Sequence, residues 1–104
     1  MIEHLNNKNF SDKIENLNKI SLIKFTALWC APCKALAPIF EEVSKEIKEA
    51  NFFEVEVDKE QELSTKFDIM SVPTIVFIKN NKEILRLNGL QRKQYLKETI
   101  LSNL

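Results

Sequence analysis

Hydrophobic positions along the chain alternate between two spacings, which predicts strands alternating with helices. Apolar runs of strand length, rich in β-branched and aromatic residues, occur at residues 2–5, 22–27, 52–57 and 74–78. Between them, one set of apolar residues recurs at helical spacing: Leu36, Ile39, Phe40, Val43 and Ile47. This spacing predicts one face of a long helix, with Pro32 near its first turn and Pro38 as a kink.

Weaker patterns fill the rest of the chain. A helix is predicted over residues 10–17, and residues 58–61 resemble a capping box that opens a short helix through Leu63 and Phe67. Residues 79–82 form a predicted turn that leads into a hairpin strand at 83–87. A last helix carries Leu96, Ile100 and Leu104 on one face. The resulting order, β-α-β-α-β-α-β-β-α, predicts an α/β fold in which a mixed sheet lies between helices on both faces.

Length and charge narrow the class of protein. The 104 residues are enough for one domain, expected to span 1–104. Fifteen lysines and arginines balance fifteen aspartates and glutamates, which argues against a nucleic-acid or membrane-surface binder. No apolar stretch approaches membrane-spanning length, and no signal peptide is visible at the N-terminus. The expected location is therefore the cytoplasm.

The two cysteines, Cys30 and Cys33, lie between a predicted strand and the long helix. This placement puts Cys30 at a helix N-terminus, where unpaired backbone N–H groups and the helix dipole favour the thiolate. Pro32 helps to form the first turn, and Cys33 faces back toward Cys30 and the interior. We expect Cys30 to be exposed and to react first. Such a pair can alternate between dithiol and disulfide.

Three other roles for the cysteines are weaker. A zinc or iron–sulfur site needs about four ligands, and the chain adds only the distant His4 to its two thiols. A structural disulfide would close too short a loop to constrain the unfolded chain much. Two buried, inert cysteines remain an alternative, although Ala31 and Pro32 at the start of the helix disfavour it.

Four segments together resemble the thioredoxin family. They are Phe-Thr-Ala-Leu-Trp-Cys-Ala-Pro-Cys-Lys at 25–34, Ala-Pro at 37–38, Val-Pro-Thr at 72–74 and Asn-Gly at 88–89. The resemblance covers essentially the whole chain, in the family's order and spacing. It implies the thioredoxin fold, protein-disulfide reductase activity without a bound cofactor or metal, and a cis peptide bond before Pro73.

The resemblance also implies roles for individual residues. Cys30 would be the attacking nucleophile and Cys33 the resolving, buried thiol. The apolar rim that docks the target would consist of Trp29, Ala31, Pro32, Val72, Pro73, Gly89 and Leu90. Val72 would offer main-chain hydrogen bonds to an extended segment of the target. For two of these residues a simpler role is open, since Trp29 could merely pack and Gly89 could serve only a turn. The implied partners are disulfide-containing target proteins and a thioredoxin reductase, with the chain acting as a monomer.

Several positions depart from the family pattern. Ala31 replaces a glycine, Thr26 a second tryptophan, and Asn81 a hairpin glycine, which asparagine can replace because it accepts positive φ. Lys24 stands at the place of the family's buried aspartate, and Glu54 at that of its partner lysine. An ion pair between them is expected, because an unpartnered buried ammonium is costly.

The reversed pair admits two interpretations. The two charges could have the purely structural role of neutralising each other. Alternatively, Glu54 could accept a proton from Cys33 while Lys24 favours the thiolate. His4 is expected to face solvent away from every motif.

Two other functions compete with the reductase. An oxidising or isomerising relative would need export, and a thioredoxin-fold binding subunit would not need both cysteines.

Overall fold

The computed structural model describes residues 2–14 and 18–104. Its strands are β1 (Ile2–His4), β2 (Ile20–Thr26), β3 (Ala50–Glu56), β4 (Thr74–Lys79) and β5 (Lys82–Asn88). Its helices are α1 (Phe10–Ile14), α2 (Ala31–Glu46), α3 (Gln61–Lys66) and α4 (Lys93–Leu101). The predicted order of strands and helices is confirmed. In the described part of the chain, no helix is both long and apolar enough to cross a bilayer.

The sheet is mixed, with strand order β1-β3-β2-β4-β5. β1, β3 and β2 are parallel, while β4 and β5 run antiparallel to their neighbours. One core cluster joins the sheet to α2 and α4 through residues such as Phe40 and Leu96. A second cluster joins the opposite face to α1 and α3 through Phe10 and Leu63. The predicted sheet with helices on both faces is therefore confirmed.

Three details of the helices and the hairpin differ from or extend the predictions. α2 continues through Pro38 as one helix. Leu104 does not belong to α4, because the chain turns after Leu101 and the Asn103 side chain donates a hydrogen bond to the carbonyl of Thr99. The hairpin turn consists of Asn80 and Asn81, both at positive φ (53° and 65°), as expected for Asn81. The end of the predicted first helix, residues 15–17, lies outside the described residues.

The predicted capping box before α3 is wrong. α3 begins at Gln61, and its N-cap residue Glu60 makes no side-chain capping bond. Asn7, from the loop after β1, provides the cap instead: its Oδ1 accepts the Leu63 N–H at 3.1 Å. Glu60 Oε1 in turn accepts the Asn7 N–H at 3.1 Å. The capping acceptor thus comes from a distant segment, and Asp58 is left available for another contact.

Candidate active site

Cys30 and Cys33 lie at the start of α2, directly after the carboxyl end of β2. They form a disulfide with their Cα atoms 5.2 Å apart. Cys30 is the N-cap residue of α2, in extended conformation, and Pro32 lies in the first turn. The Cys33 backbone N–H donates to Cys30 Sγ at 3.2 Å. A negative charge on Cys30 sulfur would therefore face a helix N-terminus and a backbone donor.

Both sulfur-bearing side chains are buried in this disulfide form. Cys30 is 5% exposed and Cys33 2%, packed with Ala27 and against Val57 and Val72. The expectation that Cys30 is exposed is therefore wrong here, because the loop of Val72 covers it: Cys30 Sγ lies 3.7 Å from the Val72 carbonyl oxygen. Among residues 2–14 and 18–104, no group of three or more His, Cys, Asp or Glu side chains is arranged to hold a metal ion.

The loop opposite the disulfide contains the cis peptide bond expected between Val72 and Pro73. Pro73 is buried and Val72 half-buried, so Val72 is the more accessible of the two. Gly89 donates its N–H to the Pro73 carbonyl at 2.8 Å. Its φ is +83°, a conformation that glycine adopts without strain. This hydrogen bond ties the loop of Val72 and Pro73 to the end of β5.

Exposed apolar side chains surround the buried disulfide. Trp29 is 69% exposed and Leu90 51%, and Ala31 and Pro32 are also exposed. Two residues that the sequence analysis did not place at the rim, Leu28 and Met70, are 73% and 86% exposed. A groove of about 200 Å³ runs beside the disulfide, and Trp29, Met70 and Val72 are among the residues that line it. We call it the Trp29 groove.

Trp29 is held in place although most of its surface is exposed. Its indole Nε1–H donates a hydrogen bond to Asp58 Oδ2 at 2.8 Å. Asp58 lies just after the carboxyl end of β3, next to β2 in the sheet. The sequence analysis missed this role because it assigned Asp58 to a helix cap. The contact spans 29 residues of sequence, and no local pattern signals it.

Lys24 and Glu54 form the expected ion pair, with Lys24 Nζ 3.0 Å from Glu54 Oε1. The parallel register of β2 and β3 places the two residues directly side by side. The Lys24 side chain is only 2% exposed, and its ammonium lies 5.1 Å from the centre of the Phe40 ring. Glu54 keeps 22% of its side-chain surface exposed, so the pair is buried at one end and open at the other.

The ion pair shares a cavity with the second cysteine. This pocket of about 180 Å³ opens to solvent, and its walls include Lys24, Thr26, Cys33 and Glu54. We call it the inner cavity because Cys33 borders it. A water molecule needs far less room than this. The arrangement can therefore connect the Glu54 carboxylate to Cys33 through water.

His4 was expected to lie away from every motif, but it lies next to Glu54. Its side chain is 75% exposed, but Nδ1 lies 3.8 Å from Glu54 Oε2. The parallel register of β1 and β3 pairs the two residues. Only knowledge of the strand order could have revealed this proximity, because half the chain separates them.

The thioredoxin family's sequence model matches residues 1–102. The thioredoxin of Mycoplasmoides gallisepticum is 38% identical, over 95% of this chain and 99% of the relative. The chain belongs to the thioredoxin family. The thioredoxin of Staphylococcus saprophyticus is 34% identical, over 99% of this chain and 98% of the relative. The crystal structure of Malassezia sympodialis thioredoxin superposes with a TM-score of 0.89 at 28% identity, covering 98% and 90% of the two chains.

Family membership, together with a cysteine pair at disulfide distance, makes this protein a thiol–disulfide oxidoreductase. Its reducing equivalents are the two thiols of Cys30 and Cys33, which exchange two electrons with a target disulfide. The Lys24–Glu54 pair has the reversed order that the sequence pointed to. Here the buried partner is a lysine, and the carboxylate lies nearer to solvent.

Proposed function

We propose that this protein reduces disulfide-containing target proteins in the cytoplasm, as a monomer whose single domain spans residues 1–104. The Cys30 thiolate attacks a target disulfide, and one target thiol leaves with a proton. The resulting mixed disulfide is attacked by Cys33, which forms the Cys30–Cys33 bond and releases the second target thiol. A thioredoxin reductase then supplies two electrons and two protons to restore the dithiol, which makes the protein an electron carrier.

One observation carries the assignment of Cys30 as nucleophile: its sulfur accepts the Cys33 N–H at the N-terminus of α2. Backbone donors and the helix dipole stabilise a thiolate at that position more than at Cys33, which lies inside the helix. Cys33 is also slightly more buried and borders the inner cavity. These differences support an attacking role for Cys30 and a resolving role for Cys33.

The surface around the disulfide supports docking of an extended target segment. The exposed side chains of Trp29, Ala31, Pro32 and Leu90 offer apolar contact, and Val72 lies at the edge of the Trp29 groove. Val72 would pair with the target through main-chain hydrogen bonds. The buried Pro73 and the half-buried Gly89 would act by fixing the shape of this loop.

Glu54 is the proposed base for the second step. Cys33 must lose its proton before it can attack, and Glu54 is a carboxylate that borders the same cavity. Lys24 Nζ holds Glu54 Oε1 in place and brings a positive charge to the same cavity, where it favours the Cys33 thiolate. Both residues thus assist Cys33 rather than Cys30.

Rapid-quench trapping of the mixed disulfide with insulin tests this role. Glu54→Gln keeps the size of the side chain and removes the base, so the first attack should proceed normally while the mixed disulfide accumulates. Loss of one catalytic base typically slows a step by about 10²–10⁴-fold, and transfer through water places our expectation at the lower end. A mixed-disulfide lifetime equal to that of the wild type, in folded protein, would show that Glu54 is structural.

A matched double variant controls for the unpaired charge that Glu54→Gln leaves behind. Lys24→Met/Glu54→Gln removes both charges, so it restores a neutral interior without restoring a base. If Glu54 is the base, the double variant should resolve the mixed disulfide as slowly as the single one. Recovery of the wild-type rate would assign the effect to the stranded ammonium instead.

A further inference from the structure

Three charged or titratable side chains form a row across the sheet. The register pairs His4 of β1 with Glu54 of β3, and Glu54 with Lys24 of β2. Neighbours paired in this way point to the same face of a sheet. The row therefore runs from the exposed edge strand to the buried centre of the sheet, in the order His4, Glu54, Lys24.

The two carboxylate oxygens of Glu54 face different neighbours in this row. Oε1 lies 3.0 Å from the buried Lys24 Nζ, and Oε2 lies 3.8 Å from Nδ1 of the exposed His4. Glu54 also borders two cavities. Cys33 lies on the wall of the inner cavity, and His4 lies on the wall of a second space of about 280 Å³, which we call the outer groove; both spaces are open to solvent. Glu54 is thus the one side chain of the row that borders both spaces, with a different partner at each oxygen.

We propose that His4 relays the proton that Glu54 takes from Cys33 out to solvent. The proposal rests on the proposed role of Glu54 and extends it by one residue. His4 touches neither the sulfurs nor the target, so it is a positioning residue for proton transfer and acts through Glu54. An imidazole suits this place because it can take up a proton at one ring nitrogen and release one from the other.

Cys33 S–H gives its proton through cavity water to Glu54, and the Cys33 thiolate attacks Cys30 sulfur. The Cys30–Cys33 bond forms, and the bond between Cys30 and the target breaks. The target thiolate takes a proton from solvent at the surface. When the His4 and Glu54 side chains close from 3.8 Å to hydrogen-bond distance, Glu54 passes its proton to Nδ1 of His4. The imidazole releases a proton to water from its other nitrogen, so Glu54 returns to its carboxylate form for the next turnover.

Other charged groups around the row shape this path. Those that line the outer groove or the inner cavity are Lys24, Lys34, Glu54, Glu56, Lys59 and Glu60. Three of them are carboxylates on the wall of the outer groove, Glu54, Glu56 and Glu60, and Lys59 is the lysine beside them. Glu3, the neighbour of His4 in β1, pairs instead with Lys13 of α1 on the opposite face at 2.6 Å.

The test compares His4→Asn with Glu3→Gln, which alters the same short strand on its other face, and with Glu54→Gln. Insulin is the substrate, and the mixed disulfide is trapped in weakly buffered solution. His4→Asn should lengthen its lifetime roughly three- to tenfold, less than loss of the base itself, because water replaces part of the relay. Glu3→Gln should have the wild-type lifetime. Added imidazole should restore the rate of His4→Asn but not that of Glu54→Gln, a rescue that a structural role would not give.

Each outcome decides a separate point. A slow Glu54→Gln with a normal His4→Asn would overturn the relay and leave the base in place. A slow His4→Asn that imidazole does not rescue would overturn the relay as well, since the defect would then be structural. A normal Glu54→Gln would overturn the base itself. Thermal melting of each variant identifies any loss of folding.

Discussion

On the Cys30 side of the disulfide the sulfur has main-chain polar contacts, whereas on the Cys33 side the disulfide borders a cavity lined by charged side chains. Cys30 sulfur has the Cys33 N–H at 3.2 Å and the Val72 carbonyl oxygen at 3.7 Å. Cys33 borders a cavity that contains Lys24 and Glu54. The backbone donor comes with any helix that begins at Cys30. The charges instead require two strands in register, so the Cys33 side depends on the sheet rather than on the helix.

The largest difference between the two sides should appear when either sulfur is removed. Cys30→Ser should lose insulin reduction and form no mixed disulfide, because the attacking group is gone. Cys33→Ser should also lose turnover, yet it should trap the target on Cys30. Non-reducing gels after mixing with insulin distinguish the two. Trapping of the target by Cys30→Ser would reverse the roles, and a wild-type protein that does not reduce insulin would favour a binding subunit.

The next effect concerns stability on the Cys33 side. Glu54→Gln leaves the Lys24 ammonium buried without its carboxylate, which should cost about 3 kcal/mol of unfolding free energy. That is the lower end for a broken buried pair, because Glu54 is 22% exposed. Lys24→Met/Glu54→Gln should recover most of this loss, since a hydrophobic replacement removes the charge altogether. Urea titrations of the three proteins measure it, and equal losses in both variants would contradict a charge effect.

A smaller effect should appear in the redox equilibrium. Lys24→Met removes a positive charge from the cavity of Cys33, so the reduced form with its thiolate loses stabilisation relative to the disulfide. The couple should become more reducing, by up to about tenfold in its equilibrium constant against glutathione, or about 30 mV. Lys34→Met, on the same cavity but on an exposed residue, is the matched control and should shift it less. A shift toward oxidation would contradict the proposed sign.

On the Cys30 side, loss of the Asp58 contact should weaken target binding by about 1 kcal/mol or less. Asp58→Ala removes the acceptor of the Trp29 indole hydrogen bond, whereas Asp58→Asn keeps an oxygen there. Trp29 is the only tryptophan, so its fluorescence reports the change directly. We expect altered emission and a higher KM for insulin in Asp58→Ala, with Asp58→Asn close to the wild type. Unchanged emission in Asp58→Ala would show that packing alone orients Trp29.

The smallest effect should come from a carboxylate remote from both cysteines. Lys93 and Lys97 hydrogen-bond Glu46 and lower its pKa from 4.5 to about 2. The folded state therefore gains stability above the ordinary pKa, and loses it as pH falls from about 4.5 toward 2. Glu46→Gln should reduce stability slightly at pH 7 and not at pH 2, and salt should weaken the difference. An equal effect at both pH values would contradict the ion-pair origin.

Sequence patterns predicted the parts of the fold that depend on neighbours along the chain. The order of strands and helices, the cysteine pair at the start of α2 and the positive φ of Asn81 were all confirmed. Each depends on hydrophobic spacing or on the conformational preference of a short segment. The resemblance to thioredoxins added the cis bond before Pro73 and pointed to Lys24 and Glu54 as partners.

The predictions failed where the contacting residue comes from a distant segment of the chain. Asn7 caps α3 in place of the predicted box, and Asp58 binds Trp29 instead. The loop that contains Val72 covers Cys30, so Cys30 is less exposed than predicted. For the α3 cap a local pattern offered a plausible partner, and a residue from a distant segment replaced it. For Trp29 and Cys30 the contact comes from a distant segment that no local pattern signals.

The sequence by itself determined the chemistry at Cys30, because a cysteine before a proline-bearing helix meets backbone donors wherever that helix packs. Only the tertiary structure decided what surrounds Cys33. The strand order β1-β3-β2 brings His4, Glu54 and Lys24 into one row, although long stretches of chain separate them. Register between strands depends on the packing of the whole sheet, and no local spacing encodes it.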